Sequence, residues 1–169
     1  MAKRQATTRI IAGKYRGTKI TFKPNKSLRP TESKTKETLF NWLLNDLDNK
    51  NCLDMFAGTG SLGFEALSRG AKEVIFIEKQ KSLCSSIEEI AKQLQITGKC
   101  RIINANSTSI NFINLKDKFD LIFLDPPFHE NLIQRSLDII DKNALLAKNG
   151  LVYIECEKDF DINSLKTKL

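Results

Sequence analysis

Soft-metal and redox chemistry have little to work with in this chain: one histidine and four cysteines in 169 residues. Cys52, Cys84, Cys100 and Cys156 are separated by 32, 16 and 56 positions, which fits neither a C-x-x-C zinc or redox site nor a small disulfide framework. Cys52 and Cys156 lie inside apolar runs, where a thiol serves as a small core hydrophobe. Reduced thiols, a cytoplasmic location and no metal are the expectations. Apolar runs extend only a handful of residues, too short to span a bilayer. The basic start Met1-Ala2-Lys3-Arg4-Gln5 is followed by no apolar h-region, so no secretory signal is expected. Repeats and low-complexity tracts are also missing. With 41% hydrophobic and 28% charged residues, the chain has the composition of an ordinary globular protein and suits one core.

The positive charge is unevenly placed. Met1–Lys36 holds eleven of the 27 basic side chains and only Glu32 of the 20 acidic ones, so this fifth carries +10 and the remainder −3. Localised charge of this kind is the footprint of a polyanion-binding element, because each neutralised phosphate releases counterions. A solvated basic arm would look the same. No basic amphipathic helix accompanies the charge, so a membrane surface is not the expected partner.

Beyond this arm the pattern alternates strand and helix. Arg9–Gly13 and Thr18–Phe22 predict a short β-hairpin, with the pattern alternating around Gly13 and Gly17; Lys23–Arg29 predicts a loop, and Pro30 the opening of a helix or the turn before it. Leu39, Leu43 and Leu47, with Phe40 and Leu44, place a wide apolar stripe on a helix over Glu37–Leu47. Trp42 on that helix is expected in the core. Strands follow at Cys52–Ala57, Glu73–Glu78, Cys100–Asn104, Phe119–Leu124 and Leu151–Cys156. Helices separate them at about Ser61–Arg69, Lys81–Leu94 and Asn131–Lys142, with Gly70 placed as a C-cap. Near-continuous apolar strands between helices predict an α/β, three-layer Rossmann-like fold with a mostly parallel sheet covered on both faces. Two parts are expected: a basic polyanion-binding extension over 1–36 and a second domain over 37–169.

Asp125-Pro126-Pro127-Phe128 directly follows the strand Phe119–Leu124. Open α/β sheets bind ligands where strands end. The prolines stiffen the turn and remove two N–H donors, Asp125 adds an acceptor-only carboxylate, and Phe128 offers a flat apolar face. Such a set suits an exocyclic amino group on a planar base. Developing positive charge on that nitrogen would be stabilised by Asp125 and by a carbonyl such as that of Pro126, and Phe128 would fix the ring. A base held in a stack could not reach such a pocket and would have to be unpaired or flipped out. His129, next in the chain, reads as an exposed bystander.

Gly58-Thr59-Gly60-Ser61-Leu62-Gly63 is a G-x-G-x-x-G between strand and helix, and Glu78 ends the next strand 20 positions after Gly58. That matches a dinucleotide fingerprint, so a nicotinamide-dependent enzyme is one reading of the segment. Asp54 separates the readings. A carboxylate there is a poor neighbour for a pyrophosphate and a good one for a ligand with an ammonium and a sulfonium. Leu53-Asp54-Met55-Phe56-Ala57-Gly58-Thr59-Gly60 resembles the cofactor loop of class I S-adenosylmethionine-dependent methyltransferases. Glu78, with Lys79 beside it, is assigned to the ribose, and Asn106 with Ser107 to the adenine.

The whole chain from Arg9 to about Glu157 resembles the ribosomal small-subunit methyltransferase D family. The resemblance rests on Arg9-Ile10-Ile11-Ala12-Gly13-Lys14-Tyr15-Arg16-Gly17, Leu28-Arg29-Pro30-Thr31, Glu37-Thr38-Leu39-Phe40-Asn41-Trp42-Leu43, the Asp54–Gly60 loop and Asp125–Phe128. It implies methylation of guanine N2 in 16S rRNA within a small-subunit assembly particle, S-adenosylmethionine as donor, and RNA contacts from Arg9, Lys14, Tyr15, Arg16, Lys19 and Arg29. It also implies a C-terminal β-hairpin completing a seven-stranded sheet; here a polar tail ends at Leu169, so that hairpin is expected to be missing or truncated. A monomer is expected. An adenine-N6 DNA methyltransferase, a protein-glutamine methyltransferase and a non-catalytic RNA-binding relative are the competing readings.

Overall fold

The computed structural model describes residues 6–22, 33–43, 47–112, 115 and 118–167. Arg29, Pro30 and the expected loop over 23–29 lie outside them. Two short strands, β1 (Ala6–Arg9) and β2 (Lys19–Phe22), pair antiparallel, with Arg9 opposite Lys19. Then come α1 (Ser33–Trp42), β3 (Asn51–Asp54), α2 (Ser61–Ser68), β4 (Glu73–Glu78), α3 (Lys81–Gln93), β5 (Cys100–Asn104), β6 (Phe119–Leu124), α4 (Leu132–Lys142) and β7 (Leu146–Ile154). The last five strands form one sheet in the order β5-β4-β3-β6-β7, and each neighbouring pair is parallel. This is the Rossmann-like α/β sheet that the alternation of elements predicts.

Each central strand is apolar on both sides because helices cover both faces. Side chains still alternate along a strand. Val74 and Phe76 of β4 and Leu121 and Phe123 of β6 join one buried cluster, with Phe40, Phe64 and Ile87. Ile75, Ile77, Ile122 and Leu124 join the other, with Ile133, Leu137 and Ile140 of α4. Gly63 lets α2 lie against β4: a Cβ there would stand 2.2 Å from a ring carbon of Phe76.

Ile10 and Ile20 of the hairpin are 1% exposed and belong to the first cluster. Helix α1 runs across residue 36, the position expected to divide the two parts. The hairpin is also tied down by polar groups. Glu65 of α2, fully buried, accepts hydrogen bonds from Ile11 N (2.7 Å) and Ala12 N (3.1 Å) and pairs with Arg69 Nε at 2.9 Å. Ser68 accepts from Lys14 N at its carbonyl and from Tyr15 N at its hydroxyl, and that hydroxyl donates to Ala12 O. Gly13 has φ +81, and its ideal Cβ would lie 1.9 Å from Ser68 O. Only glycine can bring this turn so close to α2.

Several expectations need correction. The first hairpin strand is Ala6–Arg9 and not Arg9–Gly13, α1 begins at Ser33 and not Glu37, and β3 ends at Asp54 and not Ala57. Trp42 is 77% exposed rather than in the core. On a helix the buried stripe is centred near Lys36, Leu39, Phe40 and Leu43, and Trp42 points about 110° away from it. Lys36 takes the buried place instead, 0% exposed, with Nζ donating to Ser61 Oγ (2.7 Å), Arg9 O (2.9 Å) and Thr8 Oγ1 (3.3 Å). Strand β7 begins at Leu146, five residues before the expected start, because the register against β6 shifts between Phe119 and Leu121. Asn149 (φ 62) and Gly150 sit within that irregularity and do not precede the strand. Among the described residues β7 is an edge of the sheet.

Candidate cofactor and active site

The chain builds the sheet outward from β3 to β4 and β5, then returns to lay β6 on the other side of β3. At such a reversal the loops leaving the two strands diverge and open a crevice at their C-terminal ends. The turns after β3 and β6 carry Asp54–Gly60 and Asp125–Phe128. Asp54 of β3 stands in register with Phe123 of β6 and Phe76 of β4.

Asp54 is 1% exposed and accepts a 3.3 Å hydrogen bond from Gly63 N. Burial, then the nearby Asp125 carboxylate and, more weakly, Glu78, push its carboxyl up to about 7. A buried carboxylate under that pressure favours a positive partner. Gly58 (φ 53) and Gly60 (φ 77) turn the chain through left-handed backbone, and Gly60 N bonds Ala57 O at 2.6 Å. A Cβ on Gly60 would meet Phe64 at 2.9 Å and Ile87 at 3.2 Å. Ala57 and Thr59 are buried, whereas Phe56 and Gly58 are half-exposed.

Glu78 anchors this loop as well as ending β4. Its Oε2 accepts from Gly58 N at 2.8 Å and its Oε1 from Gln80 N at 2.7 Å. Each oxygen of a carboxylate has a second lone pair, so both can still accept from a diol. Lys79 is exposed, and its carbonyl, like that of Glu78, accepts from Asn104 Nδ2 (3.0 and 2.9 Å). Ala105 N also bonds Glu78 O, at 3.1 Å, which brings the loop after β5 beside the end of β4. Asn106 lies on that loop, exposed, its Oδ1 taken by the Thr108 N–H and hydroxyl; Ser107 is buried.

Asp125, Pro127 and Phe128 are half-buried and Pro126 is buried. Strand β7 runs beside them: Leu124 opposes Ile154, and Glu155 N bonds Leu124 O at 2.9 Å. Tyr153, edge-on to Phe123, donates its hydroxyl to Glu155 at 3.4 Å. Burial, Glu155 and Asp125 together raise the phenol far above its ordinary range. His129 has an exposed ring, but its backbone is in the left-handed region (φ 62) and its N–H donates to the Glu157 carboxylate. Hydrogen bonds from His129 N–H and its own N–H hold Glu157 below the usual carboxylate range.

The basic residues divide. Lys36 binds the Arg9 carbonyl and Ser61 together, so Arg9 and its partner Lys19 stand at the start of α2, near the glycine turn. Lys14 and Tyr15 bond Ser68 at the far end of that eight-residue helix, about 12 Å along its axis, and Arg16 follows them in the same turn. Lys14 Nζ lies 5.5 Å from the Tyr15 ring centre. Arg9, Lys14, Arg16 and Lys19 are exposed and Tyr15 is half-buried.

Sequence reasoning brought out Asp54, Glu78 and Asp125, and missed Lys36, Glu65, Asn104 and Glu157. None of the four lies in a local motif. A glutamate at the centre of an otherwise apolar helix stripe was the available signal for Glu65; Lys36 stands one residue before the expected helix, which in the structure begins at Ser33.

Residues 8–169 match the family described as Conserved hypothetical protein 95. The ribosomal RNA small subunit methyltransferase D of Haemophilus influenzae is 46% identical over 157 residues, spanning 89% of this chain and 79% of that protein. Its Escherichia coli K12 counterpart is 37% identical over 150 residues, spanning 88% and 74%. Among solved structures, a putative methyltransferase from Escherichia coli superposes with a TM-score of 0.79 at 34% identity, covering 94% of this chain and 87% of that one. A putative methylase from Haemophilus influenzae gives 0.75 at 40% identity, covering 93% and 85%. Fold, glycine turn and sequence agree: the chain belongs to the ribosomal RNA small-subunit methyltransferase D family of class I methyltransferases.

Proposed function

We propose that this protein transfers a methyl group from S-adenosylmethionine to the exocyclic N2 of a guanine in 16S rRNA. The carrying observation is the Asp125–Phe128 turn at the sheet reversal, close enough to Asp54 for the two carboxylates to perturb each other. The names of the similar proteins, ribosomal RNA small subunit methyltransferases, support rRNA as substrate.

The residues suit the cofactor. A buried carboxylate that favours a cation and a glutamate with lone pairs to spare match an ammonium and a ribose in turn. Asp54, Gly58–Gly60 and Glu78 would hold it, with Phe56, Ala57, Thr59, Lys79, Asn106 and Ser107 around them. When bound, it supplies an electrophilic methyl group on a sulfonium. The protein's part is then positioning and charge. Phe128 carries the base plane, while Asp125 and the Pro126 carbonyl accept from the amino hydrogens and stabilise the positive charge growing on nitrogen. The basic hairpin and Arg29 give the phosphate contacts that bring RNA to this mouth.

Labelled methyl incorporation into small-subunit rRNA that lacks its native modification tests this reading, with DNA and protein as parallel substrates. Asp125→Ala is expected to lower the transfer rate by ~100-fold or more and to leave calorimetric affinity for S-adenosylmethionine within about threefold. Equal loss of both, or methyl transfer to DNA or protein in place of rRNA, would overturn it.

A further inference from the structure

The prolines stiffen the Asp125–Phe128 turn but leave it few backbone donors with which to fix its direction. Pro126 and Pro127 have no N–H, and among the described residues Phe128, Glu130 and Asn131 donate no backbone hydrogen bond to another backbone carbonyl. Two non-glycine residues in left-handed backbone, His129 (φ 62) and Asn131 (φ 53), then carry the chain into α4. Neither conformation is intrinsically favoured. The tie comes from the neighbouring strand. Three residues beyond the Leu124–Ile154 pair, the Glu157 carboxylate accepts the His129 N–H, and the His129 Nδ1 stands 3.5 Å from the same oxygen. Charge-assisted bonds of this type are the strong ones. Returning His129 to negative φ would swing its N–H off the carboxylate and let the preceding Phe128 turn with it.

We propose that Glu157 is a positioning residue for methyl transfer: by accepting the His129 N–H it pins the Asp125–Phe128 turn to the exit of β7. The proposal rests on the functional reading above for its catalytic consequence. It assigns the role to the carboxylate–backbone contact, and the exposed imidazole is dispensable.

The test uses the full chain, with four proteins: wild type, Glu157→Ala, Glu157→Gln and His129→Ala. Gln keeps a carbonyl acceptor; Ala at 129 keeps the N–H and removes the ring. Expected for Glu157→Ala is a ten- to hundredfold fall in kcat on rRNA, the size of a misplaced reacting group, with KM for S-adenosylmethionine within twofold of wild type. Glu157→Gln should recover at least a third of the wild-type kcat, and His129→Ala nearly all of it. Amide exchange at His129 reads the contact without any substrate: protection lost in Glu157→Ala and retained in Glu157→Gln. An unchanged kcat in Glu157→Ala, no recovery in Glu157→Gln, or a loss in His129→Ala matching that of Glu157→Ala would each overturn the proposal. If wild type binds S-adenosylmethionine without methylating rRNA, the functional reading falls and the catalytic role with it. If His129 exchange is instead the same in all four proteins, the latch alone is wrong.

Discussion

Removing the Glu65 carboxylate should detach the N-terminal hairpin from the sheet while leaving the sheet itself folded. Glu65 is fully buried and serves three donors: Ile11 N, Ala12 N and Arg69 Nε. It is also the negative charge that partly compensates the buried Lys36, whose ammonium burial otherwise pushes toward the neutral form. In Glu65→Ala the two half-buried N–H groups lose their partner, at about 1 kcal/mol each. Breaking the nearly buried pair with Arg69 adds about 2–3 kcal/mol, below the full figure for a dry interior because Arg69 keeps some solvent. The sum is about 4–5 kcal/mol, which for a domain of this size lowers Tm by about 8–20 °C. Glu65→Gln retains one acceptor and should lose roughly half as much. Thermal denaturation gives the totals, and amide hydrogen exchange at Ile11 and Ala12 shows where they fall. A Tm within 3 °C of wild type by the same scale, or unchanged protection at both amides, would refute the idea that Glu65 anchors the hairpin.

Two further outcomes follow from charge. The Asp54 carboxyl is raised to about 7 in the unliganded protein, so its folded state holds a proton that the unfolded chain releases near its ordinary value. Its contribution to stability is full below that ordinary value and disappears as pH rises through about 7. A cationic ligand reverses the preference, so S-adenosylmethionine affinity should climb up to about tenfold per pH unit below 7 and level off above it. Calorimetry in two buffers of different ionisation enthalpy should register close to one proton released per ligand at pH 6, and pH-independent affinity would exclude Asp54 as the cation's partner. Lys14→Ala combined with Arg16→Ala should weaken RNA binding and reduce the salt slope by ~1 per charge removed. Because both stand a helix length from the glycine turn, kcat at saturating RNA should not change; a fall in kcat would place them at the reacting base.

The residues that carry local chemistry were legible in the chain. A mostly apolar hexapeptide followed by Asp-Pro-Pro-Phe, a glycine turn preceded by Asp54, and Glu78 at the next strand end each declare an element and its C-terminal edge, because side-chain period and turn residues act within a few positions. Strands β4, β5 and β6 accordingly match their expected bounds. What only tertiary structure decided is which buried polar groups meet across 20 or more positions. Glu65 sits on a stripe that reads as simple core and Lys36 stands just ahead of the expected helix, yet Lys36 binds β1 to α2 and Glu65 binds the hairpin turn. Trp42 reads as core and is solvent-facing, because a helix buries one side and the lysine already occupies its centre. Glu157 is unremarkable in a polar tail until parallel pairing of β6 and β7 sets it beside His129. Periodicity fixes which face of an element is apolar; only the packing of one element on another fixes which charge a buried N–H will find.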